Sequence, residues 1–201
     1  MDEMRDWKQE IKPFGVTCMF ALINVVVFLV LEIIGNTEDV TFMLDHGAIY
    51  PVQIVQEHEY WRLLTATFMH FGFIHLLNNM VILITAGKIL EHAMGHFKFA
   101  ILYIFSGLGG STLSFLQMWF SGDYAVAAGA SGAIFGIIGA LLWVVLRHKG
   151  RYETLTSRGL LVMIVLCLYY GVSTGGVDNW GHIGGLLGGF LLGILLYRRR
   201  R

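Results

Sequence analysis

GHIGGLLGGFLLG, residues 181–193, carries glycine at 181, 185, 189 and 193 and one ionisable side chain, His182, in its first turn. Residues four apart share one face of an α-helix. With leucine, isoleucine and phenylalanine filling the other faces, the stretch reads as a membrane helix that offers bare backbone to a neighbour. A second stretch, GASGAIFG at 129–136, continues the same period through Gly132, Gly136 and Ala140. Two such stripes fit against each other, and Ser131 and His182 each stand one residue from the top of their stripe. Packing alone accounts for the glycines, so the question is what that packing brings together.

The chain has 201 residues, 56% of them hydrophobic and only 14% charged, with a mean hydropathy of +0.65. Such a composition describes a chain dissolved in lipid, not in water. The net charge is zero, with 14 basic and 14 acidic residues and no basic face for nucleic acid. The four arginines at 198–201 directly follow an apolar helix and read as a membrane-side anchor. Cys18 and Cys167 both fall within apolar runs and read as packing residues, not a disulfide framework. No small-residue cleavage site follows the first apolar run, which therefore reads as a retained helix.

A bilayer core takes about 20 apolar residues per spanning helix. On that rule the fold is an all-α, six-helix membrane bundle, with spans at 14–34, 70–93, 98–120, 131–147, 158–173 and 181–197. A segment at 1–13 precedes the 14–197 bundle and a basic tail at 198–201 follows it. Thirteen of the 14 Lys and Arg fall on one side, and Arg62 stands alone on the other among Glu38, Asp39, Asp45, Glu57, Glu59, Asp123 and Asp178. Positive residues mark the cytoplasmic side, so both termini are expected there, with the long 35–69 connection outside.

Polar groups inside a membrane helix are costly and point to function. Ser131 lies 16 residues before Arg147, and His182 lies 16 residues before Arg198. At 1.5 Å per residue both sit about 24 Å above the basic boundary, in a core of about 30 Å. His75, 16 residues before Glu91, falls in the same layer. A serine hydroxyl needs an adjacent base to become a nucleophile, and a neutral His182 can act as one. Ser131 opens its helix, so unpaired backbone N–H groups lie beside it for a developing oxyanion. His75 and Asn79, i and i+4 on one face, can add donors. No carboxylate shares the layer, so a Ser131–His182 dyad without an acidic third member is expected. The short 121–130 connection must descend to that depth, which irregular backbone tolerates where it lines a wet cavity.

Taken in order, these residues resemble the rhomboid family of intramembrane serine proteases over essentially the whole chain. Trp61-Arg62 is similar to the family's Trp-Arg pair, and His75-Leu76-Leu77-Asn78-Asn79 to its His-x-x-x-Asn, with His70 five residues upstream. Gly87 through Glu91 to Gly95 is similar to Gly-x-x-x-Glu-x-x-x-Gly, Gly129–Gly132 to Gly-x-Ser-Gly, and His182–Gly189 to the histidine-glycine helix. The resemblance implies Ser131 as nucleophile and His182 as general base. It also implies an oxyanion hole from His75, Asn79 and the Ser131 backbone, and a structural role for Glu91, Trp61 and Arg62. Substrates would be single-span or otherwise membrane-anchored proteins, cut at or just within the outer membrane boundary, with no cofactor and no metal. Two departures are small: Gly181 replaces an alanine common before the histidine. Phe135 replaces a tyrosine found in some members and can still stack on His182.

Other readings are open at this level. Ser131 can be a helix-contact residue and His182 a core histidine; His70 can bond loop backbone, and Asn78, about 100° round the helix from Asn79, can serve packing. His92 and His96 are i and i+4 without a third metal ligand, and His58-Glu59 lacks the second histidine of a zinc protease motif because Arg62 occupies its place. A catalytically silent relative that binds membrane proteins would be expected to lack the serine or the histidine. A small transporter would spread ionisable groups through the membrane instead of collecting them in one layer. The six-helix form with cytoplasmic termini suggests a multi-pass protein of a prokaryotic cell membrane.

Overall fold

Backbone polar groups in lipid must be satisfied within the chain, so each long apolar stretch closes its own hydrogen bonds as a helix. The computed structural model describes residues 15–199; the expectations for 1–13, for the start of the first span and for Arg200 and Arg201 lie outside them. The elements run α1 (Val16–Ile34), α2 (Val40–Asp45), α3 (Pro51–Gln56), α4 (Arg62–Thr65), a 3-10 turn (Ala66–Phe68), α5 (Gly72–Met94), α6 (His96–Ser121) and α7 (Ser131–Arg147). A two-stranded antiparallel hairpin, β1 (Arg151–Tyr152) and β2 (Leu155–Thr156), follows, then α8 (Ser157–Thr174) and α9 (Asn179–Leu196). Each of the six expected spans coincides with a long helix to within a few residues. Helices α1, α5, α6, α8 and α9 are long and apolar enough to cross a membrane, while α7 is apolar but has 17 residues.

The bundle is hydrophobic outside as well as inside. Helix α8 shows this most plainly: Leu161, Val165, Leu166, Tyr169, Tyr170 and Val172 are all exposed, and only Leu160, Ile164 and Gly171 are buried. Such a surface is stable against lipid tails and not against water. The densest packing lies where α6, α7 and α9 meet. A β-carbon added to Gly185 would lie 1.9 Å from the Gly132 carbonyl oxygen, and one on Gly189 would lie 2.0 Å from that of Gly136. The next turn pairs Gly193 with Ala140. The two stripes therefore face each other, backbone on backbone. Helix α6 closes the third side: a β-carbon on Gly110 would lie 2.7 Å from the Gly181 carbonyl oxygen, and one on Gly184 2.6 Å from that of Gly109.

The 35–69 connection, expected as a polar loop, holds helical turns instead. Asp39 caps α2 by accepting from Thr41 N and Phe42 N, and Pro51 opens α3 at a position where its missing N–H costs nothing. Buried Arg62 ties these turns together, donating to Glu59 (2.6 Å) and to the carbonyls of Leu44 (2.5 Å) and Ala48 (3.0 Å). Its charge is matched by a carboxylate and two oriented dipoles, so burial is tolerated. The exposed Trp61 covers the guanidinium at 5.0 Å.

At the opposite end Glu91 anchors α1. Its carboxylate accepts from Val16 N (2.6 Å), Thr17 N (2.9 Å) and Thr17 Oγ1 (2.5 Å), and it also contacts His96 Nδ1. These amides are orphan donors of the first turn of α1, and a negative charge there also suits the helix dipole. His96 is thus engaged with Glu91, and no cluster of three metal-binding side chains occurs among the described residues. Gly95, at φ 86°, makes the sharp turn from α5 into α6 that brings His96 back to Glu91. Replacing Glu91 with Ala strands two amide donors; thermal unfolding in detergent should show a loss of about 2 kcal/mol. An unchanged melting temperature would contradict this anchoring role.

Candidate active site

Ser131 is the first residue of α7. The chain reaches it through an extended segment stitched to the outer turns: Ile49 and Ala127 exchange both backbone hydrogen bonds (2.8 and 3.1 Å), and Gly129 N donates to Ala66 O at 2.9 Å. Ala130 N donates to His70 Nε2 at 3.3 Å. His70, fully buried, thus holds the loop backbone one residue before the serine, the role left open for it in the sequence. The amides of residues 131–133 have no carbonyl one turn back within α7, so they are the free donors of a helix N-terminus.

Gly129 sits at φ 148°, and a β-carbon there would lie 2.9 Å from His75 Cε1 and 3.7 Å from Ser131 Oγ. Only glycine lets the His75 ring lie against the backbone just before Ser131. His75 in turn packs edge-on to His70, with ring centroids 5.1 Å apart. Asn79, one turn below, is buried and donates its amide to the His75 carbonyl at 3.1 Å.

His182 is placed by the N-terminus of α9. Asp178 caps that helix by accepting from Gly181 N at 2.8 Å, and His182 N donates to Asp178 O at 3.1 Å. The imidazole stacks on Phe135 of α7, with centroids 4.2 Å apart and planes 9° from parallel. Phe135 lies one turn below Ser131, so the stack ties the histidine to the serine's helix. The residues beside the pair touch: a β-carbon on Gly132 would lie 3.5 Å from the Gly181 carbonyl oxygen. Ser131 and His182 share no direct hydrogen bond, and His182 Nδ1 is buried without a partner among the described residues. No carboxylate engages that nitrogen among the described residues.

A cavity of about 30 Å³ opens against Ser131, walled by Gly107, Gly110, Ser111, Gly132 and Asp178 among others. That is room for about one water molecule beside several polar groups. Asp178 and Ser111 were not legible as neighbours of the site. Asp178 reads from the sequence as an outer acidic residue, and only the closeness of α6 to α9 brings it to the cavity wall. Burial pushes its carboxyl above the usual range, against the pull of the hydrogen bonds from Ser114 and the first amides of α9. The α6 run SGLGGSTLS at 106–114 carried the missing signal, since it is a third small-residue face.

These features define a class: multi-pass membrane proteins in which a helix opening on a serine and a helix with a histidine in its first turn are joined by a small-residue contact. The chain belongs to the rhomboid family, and the sequence model of the Rhomboid domain matches residues 57–199. It is 35% identical over 174 residues to "Rhomboid protease GluP" of Bacillus subtilis (strain 168), covering 87% of this chain and 33% of that protein. It is 39% identical over 150 residues to "RHOMBOID-like protein 5" of Arabidopsis thaliana, covering 73% of this chain and 47% of that one. Over 159 residues it is 34% identical to "Rhomboid-like protease 1" of Toxoplasma gondii, covering 76% and 52%. The chain therefore spans a third to about half the length of these relatives.

The stack is checked by NMR on protein carrying labelled histidine. In Phe135→Leu the His182 Cε1–H resonance should move downfield as the ring current above it is lost, whereas Phe135→Tyr should leave it nearly in place. A resonance that ignores both changes would contradict the stacked geometry.

Proposed function

We propose that this chain is an active intramembrane serine endopeptidase that cleaves membrane-anchored proteins at or just within the outer membrane boundary. The observation that supports this most is the meeting of the Ser131 end of α7 with the His182 turn of α9 across paired glycine backbones. In this reading Ser131 Oγ attacks the scissile carbonyl while His182 takes its proton. The oxyanion is held by the Ser131 N–H, the His75 ring and the Asn79 amide. To serve there, Asn79 exchanges its bond to the His75 carbonyl for one to the oxyanion. His182 then gives the proton to the leaving amine, and water admitted to the cavity hydrolyses the acyl-enzyme through the same base. Asp178 stays outside the proton path, because its carboxylate is engaged by the first amides of α9.

We read all six long helices as spans, α7 being short because it begins below the outer surface, where its serine must meet the substrate. From the basic excess at the other end we read both termini as cytoplasmic, and we take the membrane to be the cell membrane of a prokaryote. The partners are then single-span substrates and the bilayer itself. One observation favours a second reading, a silent relative that binds membrane proteins: no hydrogen bond joins Ser131 to His182. Catalytic hydrogen bonds in unliganded sites are often long and tighten only with substrate, so the protease reading is preferred.

The test is incubation of the purified protein in detergent with a single-span membrane substrate, beside Ser131→Ala and His182→Ala. Cleavage should fall by about a thousandfold or more in each variant. Cleavage by Ser131→Ala at the unmodified rate would overturn the protease reading, and no cleavage by a folded unmodified protein would favour the silent one.

A further inference from the structure

At the basic end of the bundle, far from Ser131, the ends of α5, α7 and α9 enclose a pocket of about 230 Å³ lined by His92, Ala93, His148, Tyr152 and Tyr197. None of these residues takes part in the chemistry proposed above. His148 Nε2 pairs with the Tyr197 hydroxyl at 2.7 Å, and the His148 ring packs edge-on to Tyr152 of the β1–β2 hairpin, with centroids 4.8 Å apart. The rim is cationic. Arg199 donates to the Arg147 carbonyl at 3.2 Å, which draws the chain after α9 across the end of α7. The Arg147 guanidinium itself lies over the Trp143 ring, 5.8 Å from its centroid. Lys149 and Arg151 follow in the same turn, while Glu153 at the exposed hairpin tip is the carboxylate beside Tyr152. Among the described residues no carboxylate lines the pocket itself.

Phenol and imidazole donors close in the chain to Arg147, Lys149, Arg151 and Arg199 suit a phosphate anion, which accepts hydrogen bonds on several oxygens. Two sources carry that group, a phospholipid and free phosphate. Leu146, Ile194 and Leu195, exposed on the last turns of α7 and α9, are apolar surface that acyl chains can cover and that free phosphate cannot use. Basic pockets between helix ends at the headgroup level are suited to anionic lipids.

We propose that this pocket holds the phosphate of an anionic phospholipid, bridging the end of the His182 helix to the hairpin that follows the Ser131 helix. The protein, purified in detergent, is titrated with phosphatidylglycerol or with phosphatidylcholine of the same chains, and bound lipid is counted by native mass spectrometry. Inorganic phosphate serves as a competitor. Phosphatidylglycerol should bind at least about fivefold more tightly, the scale of one basic contact near the surface. Arg199→Gln and Tyr152→Phe should each remove much of that preference. The double variant Lys88→Gln/Arg158→Gln removes two exposed charges from the same end outside the pocket and should keep it. Equal binding of the two lipids would overturn the proposal, as would an equal loss in the double variant. Displacement of the lipid by an equal concentration of inorganic phosphate would overturn the lipid source.

Discussion

The contact between two bare stretches of helix backbone, Gly132 and Gly136 on α7 against Gly185 and Gly189 on α9, is the constraint from which the rest of the site follows. Two membrane helices with leucine at the interface stand about 8–10 Å apart. Glycine removes the side chains that set that distance, so carbonyl oxygens come to rest where β-carbons would otherwise be. Lipid supplies no hydrophobic force to draw helices together, and close van der Waals packing of this kind takes its place. Gly110 of α6 reaches both helices from the third side and makes the contact a three-helix junction. Ser131 and His182 stand at its upper rim.

Distance alone does not orient the site. In the protease reading the serine's helix begins below the surface, and the segment leading to it would be costly in lipid if its amides were unpaired. The outer turns supply the partners: Ile49 pairs Ala127, Ala66 receives Gly129, and His70 receives Ala130. Arg62 makes those turns rigid from within. A loop that looks peripheral in sequence is thus the support for the N-terminus of α7. Phe135 and Asp178 do the equivalent for His182, one by fixing the ring plane and the other by capping its helix.

Much of this was legible in the sequence because lipid leaves few options. Long apolar runs can only be helices, so all six fell where expected, and the four-residue glycine period announced which faces meet. The equal spacing of Ser131 and His182 from the basic boundary pointed to the two as a pair. The oxyanion roles proposed for His75 and Asn79 came from the family resemblance. Hidden features depended on tertiary closeness that no local pattern encodes. The helical turns of 35–69 owe their shape to Arg62, whose carbonyl partners lie 14 and 18 residues away. The 147–158 connection folds as a hairpin whose Tyr152 packs on His148. Asp178 reaches the cavity only because α6 and α9 touch.

If glycine contact is the condition for the serine–histidine arrangement, disturbing it away from the site must disturb the site. Gly189 lies about two turns from His182 and touches no proposed reacting group, yet a β-carbon there would lie 2.0 Å from the Gly136 carbonyl oxygen. The most direct measurement is the rate at which a fluorophosphonate labels Ser131 in folded Gly189→Ala, set beside its melting temperature. The expected result is labelling slowed by about tenfold or more, since small misplacements of reacting groups are costly, together with a lower melting temperature. Labelling at the unmodified rate in a protein of unmodified stability would contradict the dependence of the site on this contact.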